Sequence, residues 1–210
     1  MSREENVVRF YALTNKLKNV IRTGWKDWNV NKDRIESVAE HIFGTQMLAL
    51  AISSEYKYDI DLKKVLYMLA VHELEEIYIG DLTMFQISKE EKRKLGEEAV
   101  KKVLSNLLNK EEIENLINEF EEKITKEARF AYFCDKLECD LQSKMYDEEN
   151  CVDLNNQKDN KTFYDDRVQK LLSEGKSFSE MWMMFGQQNY NYDEAFLEVS
   201  NYAMKNKIRR

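Results

Sequence analysis

Apolar residues recur three and four positions apart along most of the chain, the spacing that lines one side of an α-helix. Phe10, Leu13, Leu17 and Val20 predict a first helix over residues 7–20. The polar run 22–34, which holds Trp25 and Trp28, reads as a loop. Ser37-Val-Ala-Glu40 has the capping-box pattern, a hydroxyl to cap the first turn and a glutamate to reach back. It predicts a helix to about Ser54, with Phe43, Met47, Leu48 and Ala51 on the buried side. Asp61 is placed to cap a helix over residues 62–79, which Gly80 would close in a left-handed conformation. Ser88-Lys-Glu-Glu91 is a second capping box and opens a charged helix to about Leu108. Helices over 111–122 and 125–145 follow. The amide-rich stretch 146–161 predicts a long loop or a partly mobile lid, and two helices, 162–173 and 177–204, complete the chain. No segment alternates with a strand's period of two, and no internal repeat is visible.

Composition strengthens the helical reading. The 210 residues include no proline and six glycines, where average usage gives about ten and about fifteen. The expected fold class is therefore all-α, and turn-rich sandwiches are excluded. The longest apolar run, residues 65–71, is far short of the roughly 20 residues a membrane span needs. The first residues carry no apolar core for a signal peptide. Cys134, Cys139 and Cys151 are odd in number and lack C-x-x-C spacing, a reduced pattern that places the chain in the cytoplasm. A formal net charge of −7 argues against binding nucleic-acid polymers.

The candidate chemistry is concentrated in few residues. The chain has two histidines, His41 and His72, which excludes an all-histidine zinc site. His72-Glu-Leu-Glu-Glu76 lacks the second histidine of a zincin helix. Glu-x-x-His, the di-iron signature, is also missing, because positions 38 and 69 are Val38 and Leu69. What remains is an imidazole and carboxylates, His72, Glu73 and Glu76, at the end of an apolar helix. Burying such groups unpaired costs several kcal/mol, and a divalent cation would offset that. His41, near the start of another helix, and Asp135, inside an apolar stretch, are further candidates. Each has a plain alternative: a histidine packed in a core, or an aspartate paired with Lys136.

Taken in order, these residues resemble the HD-domain phosphohydrolases, and within them the 5′-deoxynucleotidase branch. The resemblance rests on Arg34-Ile-Glu-Ser-Val-Ala-Glu-His41, His72-Glu73, Gly80-Asp81 and Asp135-Lys-Leu-Glu138, with Arg22-Thr-Gly-Trp25 leading into the first segment. It covers roughly residues 10–147. One departure stands out: the family's doublet is His-Asp, and this chain has His72-Glu73, whose carboxylate sits one methylene further out. The resemblance implies an HD domain over residues 1–147, with a polar loop and helices, 148–210, packing on the same domain. It implies one divalent metal (Mn, Co, Ni, Fe, Zn or Mg) held by His41, His72, Glu73 and Asp135. It also implies hydrolysis of 5′-phosphomonoesters of deoxynucleosides and a homodimer. Glu76 and Asp81 match acid–base positions: Glu76 for proton transfer, Asp81 for positioning water or the leaving oxygen, though a turn residue after Gly80 is an equal alternative for Asp81. Arg22, Trp25 and Lys136 are the substrate-binding candidates, with Lys26 competing with Arg22 and Trp28 read as packing. The run Met181-Trp-Met-Met-Phe185 reads as core or dimer packing. Two other functions stay open: a phosphoesterase for other small or cyclic nucleotides, and a degenerate site that binds nucleotide or metal without turnover.

Overall fold

The computed structural model describes residues 2–83 and 86–209. The fold is all-α: among the described residues the one β-contact is an isolated bridge between Ile21 and Ser37. The helices are α1 (Arg3–Thr14), α2 (Thr23–Asp27), α3 (Val38–Glu55), α4 (Leu62–Val71), α5 (Glu76–Ile79), α6 (Lys89–Leu104), α7 (Lys110–Glu122), α8 (Lys126–Glu148), α9 (Asp166–Ser173), α10 (Phe178–Asn189) and α11 (Glu194–Lys205). Local sequence sets many of their starts. Ser37 and Ser88 form the expected capping boxes with Glu40 and Glu91, Ser2 and Ser177 form two more, and Asp61 and Thr125 cap α4 and α8. Each such cap satisfies amide groups that a helix start leaves free and is worth about 1 kcal/mol.

Helix α8 is the hub, packing against α3, α4, α7, α10 and α11. Its inner side brings Phe130, Ala131, Cys134 and Leu137 against Ala49 and Ile52 of α3 and Val65, Met68 and Leu69 of α4. A second apolar cluster joins α4, α6 and α7 through Val71, Val103, Leu104, Ile113 and Ile117. A third ties Trp25, Trp28 and Tyr146 to Val168, Phe178 and Met181 of the C-terminal helices. The site described below lies where α3, α4 and α8 meet.

Several expected elements differ in detail. The first helix starts at Arg3, held by the Ser2 cap, and ends at Thr14, where a 3-10 turn takes over Asn15–Lys18. The tryptophan-bearing run contains α2 rather than continuous loop. Helix α3 buries Val38, His41, Thr45, Ala49 and Ile52, while Phe43 and Met47 are exposed. The cause is that α3 is apolar nearly all round, so its packing against α8 sets its rotation. The helix expected over 62–79 breaks at His72. Leu74, Glu76 and Ile77 donate their amides three residues back, a tighter winding than the α-helix. Helix α6 ends at Leu104, and Leu108 is exposed. Helix α8 runs on through Glu148. The amide-rich stretch after it is the expected long loop, tied down at two of its amides. Gln157 and Asn160 are buried, and Gln157 Nε2 donates to the carbonyl of Trp28 over 3.0 Å. The last expected helix is two, because Asn191 takes φ 53° and Asp193 caps a fresh start.

Candidate metal centre

His41 sits in the first turn of α3, fully buried. Its two ring nitrogens face α8: Nδ1 lies 2.6 Å from Glu138 Oε2, and Nε2 lies 3.1 Å from Asp135 Oδ1. Asp135 and Glu138 are three residues apart, so one face of α8 presents both. Gly44 makes this approach possible, since a Cβ there would stand 2.6 Å from Glu138 Oε1. Burial opposes charge on His41, but Glu138 and Asp135 together raise its pKa well above the usual histidine range, so a cation at Nε2 would take the place of the proton there while Nδ1 keeps its own toward Glu138. Burial likewise opposes charge on Asp135, yet Lys136, 2.9 Å away, and His41 bring its carboxyl well below the ordinary range.

His72 closes α4. Its Nδ1 donates to the carbonyl of Leu69 over 2.8 Å, which leaves the lone pair on Nε2. That Nε2 is buried and has no hydrogen-bond partner. Burial pushes the His72 pKa down, so the ring stays neutral, the form that donates a lone pair to a metal. Glu73 comes from the tight turn after the helix break. Its Oε1 lies 3.6 Å from His72 Nε2 and 3.9 Å from His41 Nε2. The extra methylene of glutamate therefore does not keep the carboxylate out of the cluster. Burial opposes its charge, but Arg22 and His41 bring the Glu73 pKa below the usual value.

One ligand atom from each of His41, His72, Glu73 and Asp135 lies within 4.8 Å of all the others. With bonds of about 2.1 Å, ligand atoms around one ion stand roughly 3–4.5 Å apart, so a slight closing seats a cation. The orphaned His72 Nε2 is the clearest sign of fit: a metal gives it the partner that the protein does not. Two imidazoles and two hard carboxylates suit a divalent transition ion.

The other predicted residues gather around this cluster. Glu76, 1% exposed, opens α5; its Oε2 is buried and unpartnered. Burial, with Glu73 and Asp81 close by, raises its pKa well above the carboxylate range. Gly80 at φ 72° turns the chain so that Asp81 Oδ2 accepts from the Thr23 amide at 2.6 Å, and Asp81 Oδ1 lies 3.8 Å from Arg22 Nη1. Arg22 Nη1 is 3.5 Å from Glu73, and its Nη2 reaches Cys139 Sγ at 3.2 Å. A cavity of about 360 Å³ begins at these groups and is also lined by Lys92, Lys136 and Trp25. Lys26 is exposed and does not line it. Trp25 borders the cavity yet is only 2% exposed, with Nε1 donating to Glu36 at 2.6 Å and Trp182 leaning on its ring. Trp28 is buried, packs against Phe178, and also touches the cavity.

Sequence reasoning gave no role to Glu36, Glu138 or Lys92, and gave Trp182 and Phe185 a packing role alone. Glu138 carried a signal, its spacing from Asp135. Glu36 lay within the quoted motif, but only the structure ties it to Trp25 and, through its amide, to the Tyr146 hydroxyl at 3.0 Å. In the methionine-rich run Met183 is core, Met181 is buried and also touches the cavity, and Trp182 and Phe185 line the cavity.

Comparison with known proteins places this geometry. Residues 14–182 match the family described as HD domain. A 5'-deoxynucleotidase HDDC2 of Dictyostelium discoideum is 32% identical over 152 residues, covering 69% of this chain and 79% of that protein. A human protein of the same name is 31% identical over 146 residues, covering 68% and 69%. Among solved structures, the PH0347 protein of Pyrococcus horikoshii shares the fold, with a TM-score of 0.65 at 24% identity over 94% of this chain and 98% of that one.

Proposed function

This chain belongs to the HD-domain family, and from that footing we propose that it is a metal-dependent phosphohydrolase that removes the 5′-phosphate of deoxynucleoside monophosphates. The observation that carries the reading is the buried His72 Nε2, unpartnered and beside His41, Glu73 and Asp135. Those four residues would hold the ion. A bound divalent ion supplies charge neutralisation for the phosphate and lowers the pKa of water.

The chain's own residues do the rest. Arg22, lining the cavity between Glu73 and Asp81, offers a planar guanidinium to phosphate oxygens. Lys136, also at the cavity wall, adds a second cation. Its pKa is pushed up, against burial, chiefly by Asp135, so it stays charged. Water attacks phosphorus, the bond from phosphorus to O5′ breaks, and O5′ needs a proton as it leaves. Glu76, whose buried carboxyl holds its proton to unusually high pH, is suited to give one from Oε2. Asp81 retains Oδ1 to orient water or the leaving oxygen while Oδ2 is tied to Thr23. The reading includes a homodimer and a cytoplasmic setting, where Cys134, Cys139 and Cys151 stay free.

Purified protein supplied with Mn²⁺, Co²⁺ or Ni²⁺ is expected to release phosphate from deoxynucleoside monophosphates, and to run as two chains in light scattering. His72→Ala and Asp135→Ala should each abolish release. Absence of release with all common bases and all three metals rejects the reading, and faster turnover of cyclic nucleotides shifts the substrate class.

A further inference from the structure

The cavity continues away from Glu73, Glu76 and Asp81 toward α10. The two aromatic side chains that α10 gives it are Trp182 and Phe185. They are three residues apart and so occupy neighbouring positions on one helix face. Trp182 rests on Trp25, ring centroids 4.8 Å apart. Phe185 differs from the rings around it. Among the described residues no other aromatic ring packs against it. Its face is covered instead by the Arg167 guanidinium, 4.9 Å from the ring centroid. Arg167 is held by Asp165 through bonds of 3.0 and 2.9 Å, and about half of its side chain is exposed. A flat, delocalised cation held on a partly exposed ring shows that this face accepts a flat partner, and a base stacking there would take the place of the guanidinium. The cavity thus has Arg22 and the acidic cluster on one wall and Trp182 and Phe185, with the Asp165–Arg167 pair, on another, and its 360 Å³ falls within the range of small-molecule sites.

The geometry points to Trp182 and Phe185 as the platform on which the nucleobase of the substrate stacks. The assignment rests on the phosphohydrolase reading: with the phosphate at Arg22 and the acidic cluster, the base extends along the cavity toward α10. Aromatic side chains hold a base by its face, and losing one such platform weakens binding about tenfold.

The test compares a deoxynucleoside monophosphate with 2-deoxyribose 5-phosphate, which has the same ester and no base. The native protein should show a KM about tenfold lower for the nucleotide. Trp182→Leu and Phe185→Leu should each close that gap by raising the KM of the nucleotide. Equal KM values for the two compounds in the native protein, or a gap that neither variant narrows, overturns the platform and leaves the hydrolase reading standing. Because Trp182 also packs against Trp25, Phe185→Leu, at a half-buried ring, keeps the test open if Trp182→Leu fails to fold. A second readout needs neither phosphate nor turnover. Deoxyadenosine should quench the tryptophan fluorescence of the native protein, at about tenfold lower concentration than in Phe185→Leu. If hydrolysis is absent while this quenching persists, the hydrolase reading falls alone; no quenching in the native protein sinks the platform.

Discussion

Glu36 links the substrate side of the site to its metal side. It accepts from Trp25 Nε1, and its carboxyl is pushed up to about 8 by burial and by the nearby Glu138. An acid whose folded pKa exceeds its unfolded value binds its proton more tightly in the native state. Its contribution to stability is complete below about pH 4.5 and is lost as pH rises toward about 8. Glu36→Gln keeps an oxygen for the indole and removes the titration. Urea unfolding of this variant should show a flatter loss of stability between pH 5 and 8, by about 1–3 kcal/mol. An unchanged pH slope refutes the assignment. At this scale the sequence was legible in residue type: both histidines and Asp135 were readable as candidate ligands. It was silent on pairing, because nothing in the chain order tells Glu36 from any other acid.

Among the elements, the crossing of α3 and α8 decides whether His41 is held in place. Glu138 reaches His41 Nδ1 only because Gly44 has no side chain. On an isolated helix Gly→Ala gains up to about 1 kcal/mol. Here Gly44→Ala should instead destabilise by about 1–3 kcal/mol, because the new methyl overlaps the Glu138 carboxylate and its neighbours are tightly packed. Titration calorimetry with Mn²⁺ should also show affinity about 10–100-fold weaker, as when a group that orients a metal ligand is lost. A thermal midpoint above that of the native protein contradicts the close approach. The starts of α3, α4, α6 and α8 were legible because serine, threonine and aspartate caps act within three residues. The rotation of α3 and the break after α4 were not, since both answer to contacts from other helices.

For the whole molecule, the ligand candidates come from α3, α4 with its following turn, and α8, so an ion would tie three parts of the bundle together. An ion that binds the folded state alone stabilises it by mass action, about 2.7 kcal/mol at a hundred times its dissociation constant. Scanning calorimetry should therefore show the unfolding temperature rising with added Mn²⁺ and falling with EDTA. His72→Ala should shrink that shift. The same bundle holds α9 and α10 against Trp25 and Trp28, so the far wall of the cavity depends on the C-terminal helices.

The chain alone determined the all-α class, most helix starts and the chemical types of the candidate ligands, because these follow from composition and from interactions a few residues apart. Tertiary structure decided which atoms meet. His41 and Asp135 are 94 positions apart and touch only because α3 packs across α8. Trp182 and Phe185 became part of the cavity, and Gln157 and Asn160 became buried, for the same reason. Side chains distant in sequence have no local interaction to fix their distance, so packing sets it.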